Sequence, residues 1–284
     1  METRGPSAAD VKDAQQRHWT SVADAWAKWG DWTDRNFAPL TTLLRERTGW
    51  APGMAMLDVG CGAGYPALAA AAVVRPGTVT AIDVSPKMLA VTAARADTNG
   101  LDNMEFHEMD AEDLHFKDEA FDAVTCVCAL MFSPDPERVV REVRRVLKPQ
   151  GRFGIVVWDD PSLNPFSMLI LGVISKFITL PPLPEATAPG PFRFAAEGGL
   201  ESVMRAGGFE HATIERQVMT FEFESVDEYA QVVTEVTGWR RRVDALAVGD
   251  LARFRAALTG AIQPFLENGR VHLQATMRCA FGRR

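Results

Sequence analysis

Residues 57–64, Leu-Asp-Val-Gly-Cys-Gly-Ala-Gly, constrain this chain more than any other stretch. The apolar run 54–59 reads as a buried parallel strand. Three glycines follow at alternate positions, and the alanine-rich segment 67–74 reads as a helix. Strand, glycine turn and helix make the first unit of a nucleotide-binding α/β fold. Without Cβ atoms, glycines let the backbone turn sharply and let a ligand lie against the main chain. The spacing narrows the choice. A dinucleotide fingerprint is G-x-G-x-x-G. Here the pattern is G-x-G-x-G, and Tyr65 stands where the last glycine would fall, which disfavours a nicotinamide-dependent oxidoreductase. No Gly-Lys-Ser/Thr follows, so the turn is not a P-loop.

A second β-rich run, 78–83, ends in Asp83, nineteen residues after Gly64. At about that offset an acid takes ribose hydroxyls in nucleotide-binding βαβ units. Ser85-Pro86 is a good N-cap and first helical residue for a helix over 87–98. Residues 104–109 and 121–128 read as the third and fourth strands. Cys128 falls just past the fourth, where open α/β sheets bind ligands. Cys126 and Cys128 share a strand face, but no third thiolate ligand is visible and no metal is expected.

These residues resemble the class I S-adenosylmethionine-dependent methyltransferases, in the small-molecule, quinone-biosynthesis-like branch. The resemblance spans about residues 22–158 at five motifs. Asp58 with Gly60, Cys61, Gly62 and Gly64 is similar to motif I, whose loop cradles the amino-acid end of the cofactor and whose acid helps hold its ammonium. Asp83-Val84-Ser-Pro-x-Met88 resembles the next segment, in which the methionine packs against adenine. Asp110-Ala111 matches an Asp-Ala pair in which the acid accepts from adenine N6 and a backbone N–H reaches N1. Glu112 and Asp113 read as a solvated turn. Val22-Ala23-x-x-Trp26 is similar to a Val-Ala-x-x-Tyr stretch whose aromatic covers the methionine end. Residues 142–151 resemble E-x-x-R-x-L-K-P-G-G, with Gln150 replacing the first glycine. The resemblance implies a Rossmann-like, seven-stranded, mostly parallel α/β sheet with helices on both faces, S-adenosylmethionine as cofactor and S-adenosylhomocysteine as product.

Four parts are expected: an N-terminal helical arm (1–50), the cofactor-binding core (51–158), an apolar cap insertion after strand five (159–209), and a C-terminal completion (210–284). In the arm, a helix over 10–30 with Asp10 as N-cap and Gly30 as stop carries Trp19, Trp26 and Trp29 on one face, a core contact or a lid. A short helix follows at 39–47. The run 163–180 has Lys176 as its only charge and suits a cap that builds an apolar acceptor pocket, a dimer interface or a membrane-touching surface. The prolines of 181–184 and 189–191 end it. Strands are expected at 209–217, 219–224 and 271–281, the last antiparallel as the resemblance implies. Helices are expected at 225–238 and 250–266. Arg240–Arg242 reads as a solvated face.

A formal charge of −7 argues against general nucleic-acid affinity. Four scattered cysteines make no disulfide scaffold and fit a cytoplasmic setting. No run is long enough to span a bilayer, although transient membrane contact is compatible with the apolar run. The expected partner is an apolar small molecule, on a monomer or homodimer. Methyl transfer expels a neutral thioether, so an O or N acceptor needs at most a general base. No residue identifies itself as that base. His18 and Asp159 lie where one could reach, each with a structural role as the plainer reading. The expected function is methyl transfer to an apolar quinone-like, aromatic, lipid or isoprenoid acceptor. The alternatives are a rearrangement or cyclisation on the same fold, or cofactor binding without catalysis.

Overall fold

The computed structural model describes residues 7–180, 185 and 187–284. Two helices come first, α1 (Ala8–Lys28) and α2 (Gly30–Thr48). The glycine loop then joins β1 (Ala55–Val59) to α3 (Ala67–Val74). Next come β2 (Thr78–Asp83), α4 (Pro86–Thr98), β3 (Met104–Glu108), β4 (Phe121–Val127), α5 (Pro136–Val146) and β5 (Leu147–Trp158). The remainder holds α6 (Pro165–Ile174), α7 (Gly199–Ala206), β6 (Thr213–Phe223), α8 (Val226–Val236), α9 (Arg240–Asp244), α10 (Val248–Ile262), β7 (Leu266–Glu267) and β8 (Arg270–Arg283).

One sheet runs β3-β2-β1-β4-β5-β8-β6, with the two-residue β7 as an eighth strand paired to β8. β1 to β5 are mutually parallel, and β8 runs antiparallel to β5 and β6. The seven-stranded reading thus describes the main path. Alternation along β1 sends Met56 into the core under α2 and α3, and Leu57 and Val59 into the core under α5 and α7. Helix starts follow local chemistry: Ser85 accepts from the Met88 N–H with Pro86 in the first turn, and Asp135 accepts from the Arg138 N–H with Pro136 behind it.

Several boundaries differ from expectation. Ser7, not Asp10, caps α1; Asp10 is the reciprocal acid of a capping box. Gly30 does not stop the arm but opens α2, which runs through Pro39. A Cβ at Gly30 would sit 2.8 Å from the Arg95 guanidinium carbon, so this glycine serves close packing. The two strands expected at 209–224 are one, β6. The apolar helix is shorter than the run that suggested it. The prolines at 181–184 lie outside the described residues. Among the described residues no helix is long and apolar enough to cross a membrane.

Gln150 adopts φ +69°, the left-handed conformation that its glycine counterpart would take freely. Gln150→Gly is expected to raise stability by about 1 kcal/mol, the left-handed penalty less glycine's larger unfolded-state entropy. A denaturant midpoint that stays or falls would show that the side chain compensates.

Candidate cofactor and acceptor site

A cavity of about 840 Å³ opens beyond the carboxyl ends of β1, β2 and β4, the position at which open α/β sheets bind ligands. Gly60, Cys61, Gly62, Asp83, Val84 and Met88 line it, as do Asp110, Ala111, Cys128, Trp26 and His18. Asp58, Gly64 and Asp159 do not.

The three loop glycines have separate uses. At Gly60, φ is +69° and a Cβ would lie 2.3 Å from the Ala129 Cβ. At Gly64, φ is +102° and a Cβ would press on Leu68 and Thr92. At Gly62, a Cβ would meet nothing within 4 Å, so that backbone faces open space. The Gly62 N–H donates to Asp83 Oδ2 (3.0 Å) and the Ser85 N–H to Oδ1 (2.8 Å). Burial raises the pKa of Asp83 against these bonds. A carboxylate offers about four lone-pair sites, and Asp83 borders the cavity, so it keeps acceptor capacity for a ligand.

Asp58 lies beneath the loop, 2% exposed. Thr125 Oγ1 donates to its Oδ1 at 2.6 Å, and Oδ2 has no partner. Burial, opposed by the Thr125 bond and abetted by Asp83, pushes its pKa up to about 7. Asp58 does not border the cavity, so this oxygen acts on a ligand's cationic group only through the glycine loop above it. The Trp26 indole N–H is likewise buried without a partner, on the cavity wall. These unsatisfied groups, the open Gly62 backbone and the Asp83 carboxylate fit a nucleoside bearing an ammonium.

The arm closes one side. Lys12 Nζ meets Asp110 Oδ2 at 2.7 Å and Glu112 Oε2 at 2.5 Å. Gln16 Nε2 donates to the Val84 carbonyl (2.9 Å), and the Thr20 and Ser85 hydroxyls share a bond. Glu112 is therefore not on a solvated turn. It is 4% exposed and also accepts from Ser133 Oγ and the Asp135 N–H. Sequence reasoning missed Lys12 and Gln16 because polar positions on an exposed helix carry no local signal of their partners.

Part of the lining is aromatic. Phe166 stacks on Trp32 (6.2 Å, 18°) and on Trp158 (5.9 Å, 20°). Phe37 meets the Tyr65 ring edge-on at 5.1 Å, and Trp239 completes the wall. Ser167 and Leu171 of α6, with Pro191 and Phe192, line the same space, so the 159–209 segment borders the cavity. Cys128 sits here at φ +55°, a strained conformation for a non-glycine residue.

Asp159 has a different place from the one expected of a base. It is fully buried and receives Arg278 (2.9 Å) and Arg216 (2.5 Å). Burial opposes its ionisation, but bonds from Arg216, the Asp160 amide and Arg278 outweigh that and hold its pKa down. Arg278 also donates to the carbonyls of Ala195 and Ala196, so the cluster ties the segment after Phe192 to β8. Among the described residues no group of three or more His, Cys, Asp or Glu could hold a metal ion.

Residues 57–155 match the family described as a methyltransferase domain. The nocamycin O-methyltransferase of Saccharothrix syringae is 34% identical over 183 residues, 61% of this chain and 65% of that enzyme. Matches to several other curated relatives span only 43–44% of their lengths. The ubiquinone biosynthesis O-methyltransferase of Paracidovorax citrulli is 30% identical over 225 residues, 74% of this chain and 90% of that enzyme. Among solved structures, the [4+2]-cyclase SpnF is 26% identical with TM-score 0.51, over 84% of this chain and 79% of that one. On glycine loop, sheet order and an alignment covering nearly the whole ubiquinone-pathway relative, the chain belongs to the class I S-adenosylmethionine-dependent methyltransferases.

Proposed function

We propose that this chain transfers a methyl group to an apolar, aromatic or isoprenoid-like small molecule. One observation carries the reading: a single cavity is lined both by the motif loops and by Trp32, Phe37, Trp158, Phe166 and Trp239. Its volume lies at the upper end of the roughly 300–1,000 Å³ of small-molecule sites. In this reading Asp83 takes the ribose hydroxyls and Met88 packs on adenine. Asp110 and Ala111 accept from and donate to the adenine edge. The Gly60–Gly62 backbone and Asp58 hold the amino-acid end, and Trp26 covers it. When bound, S-adenosylmethionine supplies an electrophilic methyl group. The protein's part is to hold an acceptor in line with it and keep water out.

A second reading rests on the likeness to the [4+2]-cyclase SpnF. Product analysis separates the two. The protein is incubated with methyl-labelled cofactor and a panel of phenols, hydroquinones and prenylated aromatics. Acceptor-dependent S-adenosylhomocysteine, with label in the organic phase, is the expected result. Calorimetric binding of the cofactor with none of that product from any acceptor would favour the cyclase reading.

A further inference from the structure

We propose that His18 is the general base of the transfer, taking the proton from the acceptor as it is methylated. The inference deepens the proposed function and rests on it.

Of the five histidines in the chain, His18 is the one that borders the cavity. Three of the others sit near carboxylates: His107 is 3.8 Å from Glu105, His115 3.4 Å from Asp113 and His272 3.9 Å from Glu222. The His18 ring is held by carbon contacts instead. Trp19 meets it edge-on at 5.1 Å, and Trp19 meets Phe132 in the same way at 5.1 Å. On another side lies Gly238, where a Cβ would stand 3.5 Å from the ring Cε1. Among the described residues neither ring nitrogen has a hydrogen-bond or ion-pair partner. A neutral imidazole carries one donor and one acceptor nitrogen, so the acceptor nitrogen is free.

Place along α1 separates His18 from the rest of the arm. Lys12 reaches Asp110 and Gln16 reaches the Val84 carbonyl, so those turns lie over the ends of β2 and β3, the part proposed for the nucleoside. Asp13 adjoins Lys12 and shares that end. His18 lies further along, where α1 meets Gly238, next to Trp239 of the aromatic lining. Charged groups on the elements around it are engaged elsewhere. On α8, Glu235 takes Lys28 and the Trp29 indole, each at 2.8 Å. Beyond α8, Arg240 pairs with Asp244 at 2.9 Å and Arg242 lies over the Trp239 ring. On α1, Asp24 takes Lys87 at 2.6 Å and Arg17 is exposed. Partial burial is the one cause acting on the ring, and it lowers the pKa. At neutral pH the imidazole is therefore uncharged and able to accept a proton.

The charge balance suits this placement. For a hydroxyl acceptor, the oxygen lone pair forms the O–CH3 bond while the C–S bond breaks and its electrons stay on sulfur. The O–H proton passes to the imidazole. One positive charge moves from sulfonium to imidazolium, and none is created between apolar walls, where a new charge is costly. While the sulfonium is present it opposes protonation of His18; once the methyl has left, that opposition is gone. Because His18 is exposed at the rim, water then removes the proton.

The test compares the wild type with His18→Gln on two phenols. 4-Methoxyphenol keeps its proton until about pH 10; 4-nitrophenol is assayed where it is already an anion. His18→Gln is expected to lower kcat/KM for 4-methoxyphenol by about a hundredfold or more and for 4-nitrophenol by less than about threefold. Calorimetric binding of S-adenosylhomocysteine is expected to stay unchanged. The wild-type rate on 4-methoxyphenol is expected to rise with pH through an inflection below the ordinary imidazole value of about 6.5, and the inflection is expected to vanish in the variant. Equal losses on both phenols, as from a purely structural role, would overturn the inference. So would a 4-methoxyphenol rate that survives the substitution, or transfer to other acceptors of the panel but to neither phenol. Transfer to no acceptor at all would instead overturn the proposed function.

Discussion

Asp83→Ala is expected to weaken S-adenosylmethionine binding by at least a hundredfold. The carboxylate closes β2 and shapes the turn through the Gly62 and Ser85 amides. Asp83 borders the cavity and keeps acceptor capacity beyond those two bonds. If it accepts from both ribose hydroxyls, two charge-assisted bonds of about 1.5–3 kcal/mol each are lost, and every 1.4 kcal/mol is about tenfold in affinity. Asp83→Asn keeps one acceptor oxygen and is expected to fall between. Calorimetry with S-adenosylhomocysteine on variants of verified fold reads the effect. Unchanged affinity in the alanine variant would end the ribose assignment.

Cofactor binding is also expected to expel a proton from Asp58. Its folded-state pKa is about 7 because burial disfavours the charge, so near neutrality the carboxyl is about half protonated. A cofactor ammonium held in the cavity above the glycine loop acts on Asp58 through that loop, stabilises the charged form and lowers that pKa. Release is then about half a proton at pH 7 and approaches one toward pH 6. Titrations in buffers of different ionisation enthalpy count it, and Asp58→Asn is expected to remove it and to weaken binding. The same shift has a sign for stability. A folded pKa above the unfolded value of 3.8 means that the native state holds the extra proton between the two. The ligand-free protein therefore keeps this contribution in full below about pH 4 and loses it as pH rises through 7, by up to about 4 kcal/mol. A ligand-free melting temperature that is flat from pH 5 to 8 would contradict the shift.

The part of the cavity proposed for the cofactor was legible in the sequence because it is local. Glycine loop, Asp83 and Asp110 each lie at or just past the end of a strand, and parallel pairing with a fixed hand brings strand ends together. The aromatic lining proposed for the acceptor was not, because it is assembled across the chain. Trp32 reaches Phe166 and Phe223 only after α2 is laid over β6 and α6, and nothing near Trp32 in sequence announces it. Asp159 looked available as a base because its principal partner, Arg278, is 119 residues away. Gly30 was misread for a related reason. Its lack of a side chain accommodates Arg95, a residue on α4, rather than ending a helix. Gln150 shows the limit of a motif departure: the sequence identified the odd residue, while only the backbone showed that it bears a left-handed conformation.

The four thiols also bear on how such a site survives its own reagent. Cys61, Cys126 and Cys128 border the cavity proposed for a sulfonium methyl donor, and Cys279 lies in the sheet beside it. A thiolate there would be a better nucleophile than most acceptors. Burial drives Cys126 and Cys279 up to about 12 and raises Cys61 and Cys128 as well, and a protonated thiol attacks carbon poorly. In the proposed reaction, the apolar packing that shapes the pocket would thus also guard it against self-alkylation.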